Sequence, residues 1–412
     1  MIKVSKWYRL DNAAKIFPPS KNKYDSKIFR FTVSLVENVD KDILNVALTK
    51  TLQEYPIFRS VLKRGLFWYY LEESNIKPVV VEEHLRPCSK FDTGLLFQVT
   101  YYKKRINLEV NHALTDGTGT LMFLKTLVVN YLEEKYKINS KEAINKASIK
   151  ESSNDSFRKY YTGKIKKSIT SSKIAYKIKD EKYVENRLKI IEGIVDVNSL
   201  LKLAKKYNVT LTVYLVSLLI KCIGESMELK ARKKPIVVTV PVNLRNYYPS
   251  YTVRNFFNAV NISFKYNGED IANIIKVVNE EFKRNLTKEN VENKMNNMAK
   301  LEDIFILRLI PIFIKDLVLR YAYKFTENYA TMTLSNIGII DIPEVYQKYI
   351  DYFDVFISTS KIQLCMCSYL NKMLLTFTSQ FVNSEIEKNF FRYLTAEGIN
   401  VTINTNKIGG DK

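Results

Sequence analysis

Residues 106–132 read I-N-L-E-V-N-H-A-L-T-D-G-T-G-T-L-M-F-L-K-T-L-V-V-N-Y-L, from Ile106 to Leu132. Ile106, Leu108 and Val110 alternate with Asn107, Glu109 and Asn111, the period-two pattern of a strand with one buried face. His112 keeps the parity of the apolar set, which points it inward. The strand breaks at Asp116-Gly117-Thr118-Gly119. A helix follows, with Leu121, Leu124, Val128, Tyr131 and Leu132 on one face. A histidine thus stands at a strand end, and an aspartate follows it where the chain turns into a helix.

Histidine is scarce in this chain: His84 and His112 are its two copies. Imidazole is the usual general base near neutral pH when a fixed network selects its tautomer. The bland alternative is a core histidine with satisfied hydrogen bonds. The spacing H-x-x-x-D-G between strand and helix favours the catalytic reading. His84 lies among charged residues and is assigned no role.

Working outward, the 412 residues suffice for two domains and a large core. Hydrophobic residues make up 46%, which places the chain among globular rather than disordered proteins. The formal net charge is +21. That charge reads first as a lysine-coated surface and second as attraction to an anionic partner. Nucleic acid is not expected, because the basic residues are scattered and no zinc-finger spacing occurs. Cys88, Cys222, Cys365 and Cys367 form neither a disulfide framework nor a convincing metal set. They read as reduced thiols of a cytoplasmic protein. No signal peptide and no transmembrane segment are expected.

The flanking chain repeats the strand–helix alternation. Phe29, Phe31, Val33 and Leu35 alternate with polar residues, and Asp40 caps a helix stopped by Pro56. Strands are expected at 66–71, 79–82 and 95–102. Leu188–Val195, with Asp196 or Asn198 as cap, repeats the strand-then-cap arrangement, a hint of two lobes of related design. Leu211–Ile223 reads as a buried helix capped by Thr210. Further strands are expected at 236–240, 259–264, 331–334, 352–359, 364–369 and 373–379, and amphipathic helices at 270–286 and 384–397. The apolar run Ile304–Tyr323 reads as a buried or groove-lining helix, with a face that touches a lipid surface or a long acyl chain as the minority reading. The division implied is 1–150, a lysine- and serine-rich linker at 151–184, and 185–412.

His112, Asp116 and Gly117 form the H-x-x-x-D-G signature of the acyltransferase superfamily built on the chloramphenicol acetyltransferase fold, and the chain resembles that superfamily elsewhere. Pro241-Val-Asn-Leu-Arg245 is similar to its arginine segment after a strand. Arg254-Asn-Phe-Phe257 is similar to its segment before the next strand. Ser335-Asn-Ile-Gly338 is similar to its Ser-Asn segment, read here as following the strand 331–334. The superfamily includes the plant BAHD acyltransferases and the condensation domains of peptide synthetases. The resemblance runs furthest with the stand-alone bacterial alcohol acetyltransferase-like group. One departure is Asn111, where many condensation domains carry a second histidine.

The resemblance implies an α/β (α+β) fold of two lobes, each a mixed sheet flanked by helices, with a tunnel between them. It implies direct acyl transfer, with His112 as general base, Asp116 paired to Arg245, and Gly117 permitting a tight turn. Ser335 and Asn336, or nearby backbone N–H groups, would hold the oxyanion, and Asn255 would contact substrate. The implied donor is acyl-CoA as co-substrate, with no tightly bound cofactor and no metal. The acceptor is a small alcohol or amine, and an acidic carrier protein is a further candidate partner. Condensation from a carrier-protein thioester, and a non-catalytic binding protein of the same fold, are the competing readings.

Overall fold

The computed structural model describes residues 6–138, 148–164, 173–184, 187–300 and 309–406. Its first large sheet has the strand order β12-β2-β7-β6-β5. These strands are β2 (Ile28–Leu35), β5 (Val81–Glu82), β6 (Phe97–Tyr102), β7 (Arg105–Asn111) and β12 (Ile350–Ile357). All neighbours are antiparallel except β5 beside β6. The second sheet has the order β10-β9-β11-β13-β14-β8-β15. It comprises β8 (Lys189–Asp196), β9 (Ile236–Asn243), β10 (Phe257–Phe264), β11 (Met332–Ile339), β13 (Gln363–Tyr369), β14 (Lys372–Ser379) and β15 (Val401–Thr405). Here β11 runs parallel to both β9 and β13. A small sheet of β1 (Trp7–Arg9), β3 (Ser60–Arg64) and β4 (Tyr69–Glu73) completes the set. The molecule is thus a mixed α/β structure with two mixed sheets, each covered by helices.

The helices of ten or more residues, among those described, are α1 (Lys41–Glu54), α2 (Gly117–Tyr136), α3 (Val197–Lys206), α4 (Leu211–Ser226), α5 (Ile271–Asn285), α6 (Lys288–Lys300), α7 (Ile312–Thr326) and α8 (Glu385–Ala396). Asp40 caps α1 by accepting from Asp42 N and Ile43 N, and Asp196 caps α3 by accepting from Ser199 N. The strand-then-cap arrangement at Asp40 therefore recurs at Asp196. One core packs α1 and α2 on the first sheet through Phe31, Leu108, Phe58 and Phe123, with the Phe58 and Phe123 rings stacked at 4.1 Å. The other wraps α4, whose residues from Val213 to Ile220 are all buried, between the second sheet, α5 and α8. Each such Leu, Val or Phe side chain contributes about 1.5–3 kcal/mol of burial.

Several sequence expectations need correcting. β7 is buried on both faces, not one: Asn107 and Glu109 are as inaccessible as Leu108. The polar face of the strand is filled by partners. Arg30 Nε donates to Glu109 at 2.8 Å, Gln98 Nε2 donates to it at 2.7 Å, and Thr32 Oγ1 donates to Asn107 at 2.9 Å. Residues 335–338 lie inside β11, not after it, and the register slips there at a bulge with Gly338 at φ +87°. Pro241 likewise lies within β9. Strands β1, β3 and β15 were not anticipated; each is short. Finally, β12 crosses from the second half of the chain to join β2, so the first sheet is closed by residues 350–357.

Candidate active site

His112 is the first residue beyond β7. Its backbone N–H donates to Lys27 O at 2.8 Å, prolonging the β2–β7 ladder by one step. Asn111 then ends the strand, because its side chain accepts from Ala113 N at 2.9 Å and its carbonyl from Leu114 N at 2.9 Å. The imidazole is packed between rings. Phe17 stacks on it at 4.5 Å between centroids, Phe29 lies at 4.6 Å and Phe257 at 5.9 Å. Burial in this aromatic slot pushes the imidazole down to about 4, against the upward pull of the Asp116 carboxylate. The ring is therefore neutral at physiological pH.

Asn255 decides the tautomer. Its Nδ2 donates to His112 O at 3.0 Å and to Asp11 Oδ2 at 3.3 Å, which fixes the orientation of the amide. Its Oδ1 then faces His112 Nδ1 at 3.4 Å. An amide oxygen only accepts, so Nδ1 carries the hydrogen and Nε2 keeps its lone pair. Asn255 is buried beside the imidazole and is not among the residues that line the cavity in front of it. Asp11, which holds Asn255, had no signal in the sequence.

Asp116 is the N-cap of α2 and is saturated with donors. Oδ1 accepts from Gly119 N at 2.9 Å and from Arg245 Nη2 at 3.3 Å. Oδ2 accepts from Arg245 Nη1 at 2.9 Å and from Phe256 N at 2.8 Å. The pair is bidentate and buried on both sides. Arg245 also donates to Thr252 O at 2.9 Å and Arg254 O at 2.7 Å. The carboxylate thus ties the helix start to segment 252–256, and that segment carries Asn255 to the imidazole.

The glycine that the geometry requires is Gly119. A Cβ there would lie 1.9 Å from Val253 O, whereas at Gly117 it would meet only the far end of Ile337 at 2.9 Å. Thr115 reinforces the same approach by donating to Val253 O.

In front of His112, between the two sheets, is a cavity of about 120 Å³. Phe29, Phe31 and Phe257 supply apolar wall, and Thr118, Ser335 and Gln363 supply polar groups. Ser335 Oγ accepts from Gln363 Nε2 at 3.1 Å. Thr118 Oγ1 accepts from Asn243 Nδ2 at 3.2 Å and is placed in the same way. Asn336 also borders the cavity, but its amide is committed: Nδ2 donates to Thr212 Oγ1 at 3.0 Å and Oδ1 accepts from Gly338 N at 2.8 Å. Thr118 and Gln363 were missed at the level of sequence. Thr118 sits within the Asp116–Gly119 turn and could have been inferred from it; Gln363 has no local signal. Among the described residues, no cluster of His, Cys, Asp and Glu is arranged to hold a metal ion. The four cysteines are buried free thiols.

Two sheets meeting at a neutral histidine, with a buried carboxylate–guanidinium pair behind it, define a two-lobed transferase of the chloramphenicol-acetyltransferase-like class. The chain belongs to the Transferase family, whose model matches residues 73–335. Comparison with curated proteins by sequence gives no match. The fold is similar to polyketide synthase associated protein 5 from Mycobacterium tuberculosis, with a TM-score of 0.66, 12% identity, and 94% and 96% of the two chains covered. It is similar to a trichothecene 15-O-acetyltransferase from Fusarium sporotrichioides, with a TM-score of 0.64, 10% identity and 95% of each chain covered. The first condensation domain of the calcium-dependent antibiotic synthetase, in complex with a substrate analogue, superposes with a TM-score of 0.61, 13% identity and 93% of each chain covered.

Proposed function

We propose that the protein moves an acyl group from a thioester, with acyl-CoA as the leading donor, to the hydroxyl of a small alcohol. His112 Nε2 takes the acceptor's proton as the acceptor oxygen bonds to the thioester carbonyl carbon. The carbonyl electrons move onto oxygen, and the Ser335 and Thr118 hydroxyls, which line the cavity, would donate to it. When the carbonyl re-forms, the C–S bond breaks and the departing thiolate takes the proton back from the imidazolium. Ester and thiol leave, and the enzyme ends in its starting state with no acyl-enzyme. The observation that carries this reading is the imidazole itself, neutral, with Nδ1 committed to Asn255 and the ring bordering a cavity lined by hydroxyl groups. Membership of the Transferase family supports it.

The test is turnover. The full chain is incubated with acetyl-CoA and a panel of alcohols, and free thiol is measured. His112→Ala should leave the fold intact and lower the rate by roughly 10²–10⁴-fold. A folded His112→Ala protein with wild-type turnover sinks the mechanism. The structural likeness to a condensation domain favours one second reading, transfer from a carrier-bound thioester to an amine or hydroxyl. Activity with an acyl-loaded acidic carrier but with no CoA thioester would select it.

A further inference from the structure

Helix α7 packs with its polar side inward. Lys315 Nζ donates to Phe67 O at 3.0 Å and lies 3.5 Å from the Trp68 ring centroid. Asp316 accepts from Tyr69 Oη at 2.8 Å, and Tyr323 Oη accepts from Lys27 Nζ at 2.7 Å. The opposite side carries Phe313, Leu317, Tyr321 and Phe325, four residues apart in succession and 62%, 52%, 65% and 60% exposed. That spacing is one face of an α-helix. Ile314 and Val318 widen the stripe, and exposed Leu66 adjoins its start, where Ile312 N donates to Leu66 O. The sequence of this run reads as a buried or groove-lining helix, with a face touching lipid or a long acyl chain as the minority reading; residues 304–308 of it lie outside the described residues, and within the helix Ile312 alone is buried. A contiguous apolar ridge of this extent marks an interaction surface.

The ground beside the ridge is basic. A cleft of about 730 Å³ shares Arg320, Tyr323 and Lys324 with α7. Eight lysine and arginine side chains line it, Lys23, Lys179 and Lys182 among them, against Asp180 and Glu327. Among the described residues, none of the eight stands within ion-pair distance of a carboxylate. The whole chain carries +21. A second copy of the same chain would bring like charges together. The stripe is a convex ridge of about 18 Å, from the helical rise over twelve residues, and it suits a plane better than a groove.

We propose that α7 is an interfacial anchor: its apolar stripe inserts into the acyl boundary of an anionic phospholipid bilayer, and the cations of the adjoining cleft meet the lipid phosphates. Cations flanking an exposed apolar helix face are the pattern by which helices lie in a membrane surface. Among the described residues no single helix is long and apolar enough to cross a membrane, so the attachment is peripheral. The inference does not depend on the chemistry at His112.

The full chain would be sedimented with vesicles of phosphatidylcholine alone and of phosphatidylcholine with phosphatidylglycerol. The wild type should bind the anionic vesicles at least tenfold more tightly, and salt should weaken that binding. Leu317→Ser/Tyr321→Ser/Phe325→Ser should lower the partition by about tenfold or more while melting as the wild type does. Lys179→Gln/Arg320→Gln/Lys324→Gln should weaken binding and flatten its salt dependence. As an independent reading, an environment-sensitive dye on Leu317→Cys should shift to the blue with anionic vesicles and not with neutral ones. No binding to anionic vesicles overturns the proposal, as does a serine variant that binds like the wild type. It is equally overturned by a wild-type dimer that the serine variant converts to monomer, since the stripe would then seat a second copy.

Discussion

Removing the Asp116 carboxylate tests the frame of the site more directly than removing His112. The Asp116 and Arg245 side chains are only 5% and 7% exposed, and the carboxylate accepts from four N–H groups. Deleting one partner leaves a buried charge without its counter-ion, a loss of roughly 3–5 kcal/mol. Loss of the helix cap, about 1 kcal/mol, is part of that total because Gly119 N goes unpaired. With an unfolding entropy of about 2 cal/mol/K per residue over 412 residues, Asp116→Ala should lower Tm by about 4–6 °C.

Asp116→Asn separates the contributions. Asparagine still caps, but its amide hydrogens face the donors of Arg245 or Phe256, so most of the loss should remain. Arg245→Ala should cost about as much as Asp116→Ala. The double variant should be more stable than the sum of the single losses implies, by about 1–3 kcal/mol, since the second partner is useful only while the first is present. Thermal melts of the four proteins supply the cycle. Strictly additive losses, or an Asp116→Ala protein within 1 °C or so of wild type, would refute the pairing as the element that fixes segment 252–256.

The acid limb of kcat/KM should fall near pH 4, not near the ordinary histidine value, because burial disfavours the imidazolium; a pH–rate profile with a limb at 6.5 would contradict this. Asn255→Ala should lower kcat by about tenfold or more with little change in KM, since the residue holds the tautomer and lies outside the cavity; an effect confined to KM would make it a substrate contact. Gly119→Ala should be insoluble or melt several degrees lower, given the backbone oxygen of Val253, while Gly117→Ala should fold normally. Asp354, buried beside Glu192, is held above the usual carboxylate range by burial first and by that neighbour second. A raised carboxyl favours the fold below its unfolded value and loses that contribution as pH rises through its folded one. Asp354→Asn should therefore raise Tm at alkaline pH and converge with wild type in acid, as melts across pH would show.

The strand–turn–helix around His112 was legible because its signals are local: alternation in 106–111, Asp116 ahead of a helical apolar pattern, and glycines between. The polar side of β7 was misread for a physical reason. Alternation reports polarity, and Asn107 and Glu109 are buried among Arg30, Thr32 and Gln98, which come from other strands. The same limit applies to α7, whose apolar composition reads as a buried or groove-lining helix, whereas Phe313, Leu317, Tyr321 and Phe325 are exposed. Asp116 and Arg245 lie 129 residues apart, and no periodicity joins them; the resemblance did. Asp11 and Gln363 gain meaning only once folding places them beside Asn255 and Ser335.

On the proposed reading, a histidine held near 4 is a weak base, and this constrains the reaction. It cannot generate a free alkoxide and wait for the thioester. Proton transfer must accompany C–O bond formation, so that imidazolium and oxyanion appear together. In a slot walled by Phe17, Phe29 and Phe257 neither charge is well solvated, and the two attract each other strongly at low dielectric. The Asp116 carboxylate favours the imidazolium through space, while the Asn255 oxygen accepts from its Nδ1–H. Asp116 therefore acts twice, as the clasp of segment 252–256 and as a fixed negative charge near the developing positive one. Asp116→Asn should for that reason lower kcat more than its loss of stability explains, and a folded Asp116→Asn protein with unchanged kcat would remove the electrostatic role while leaving the clasp intact.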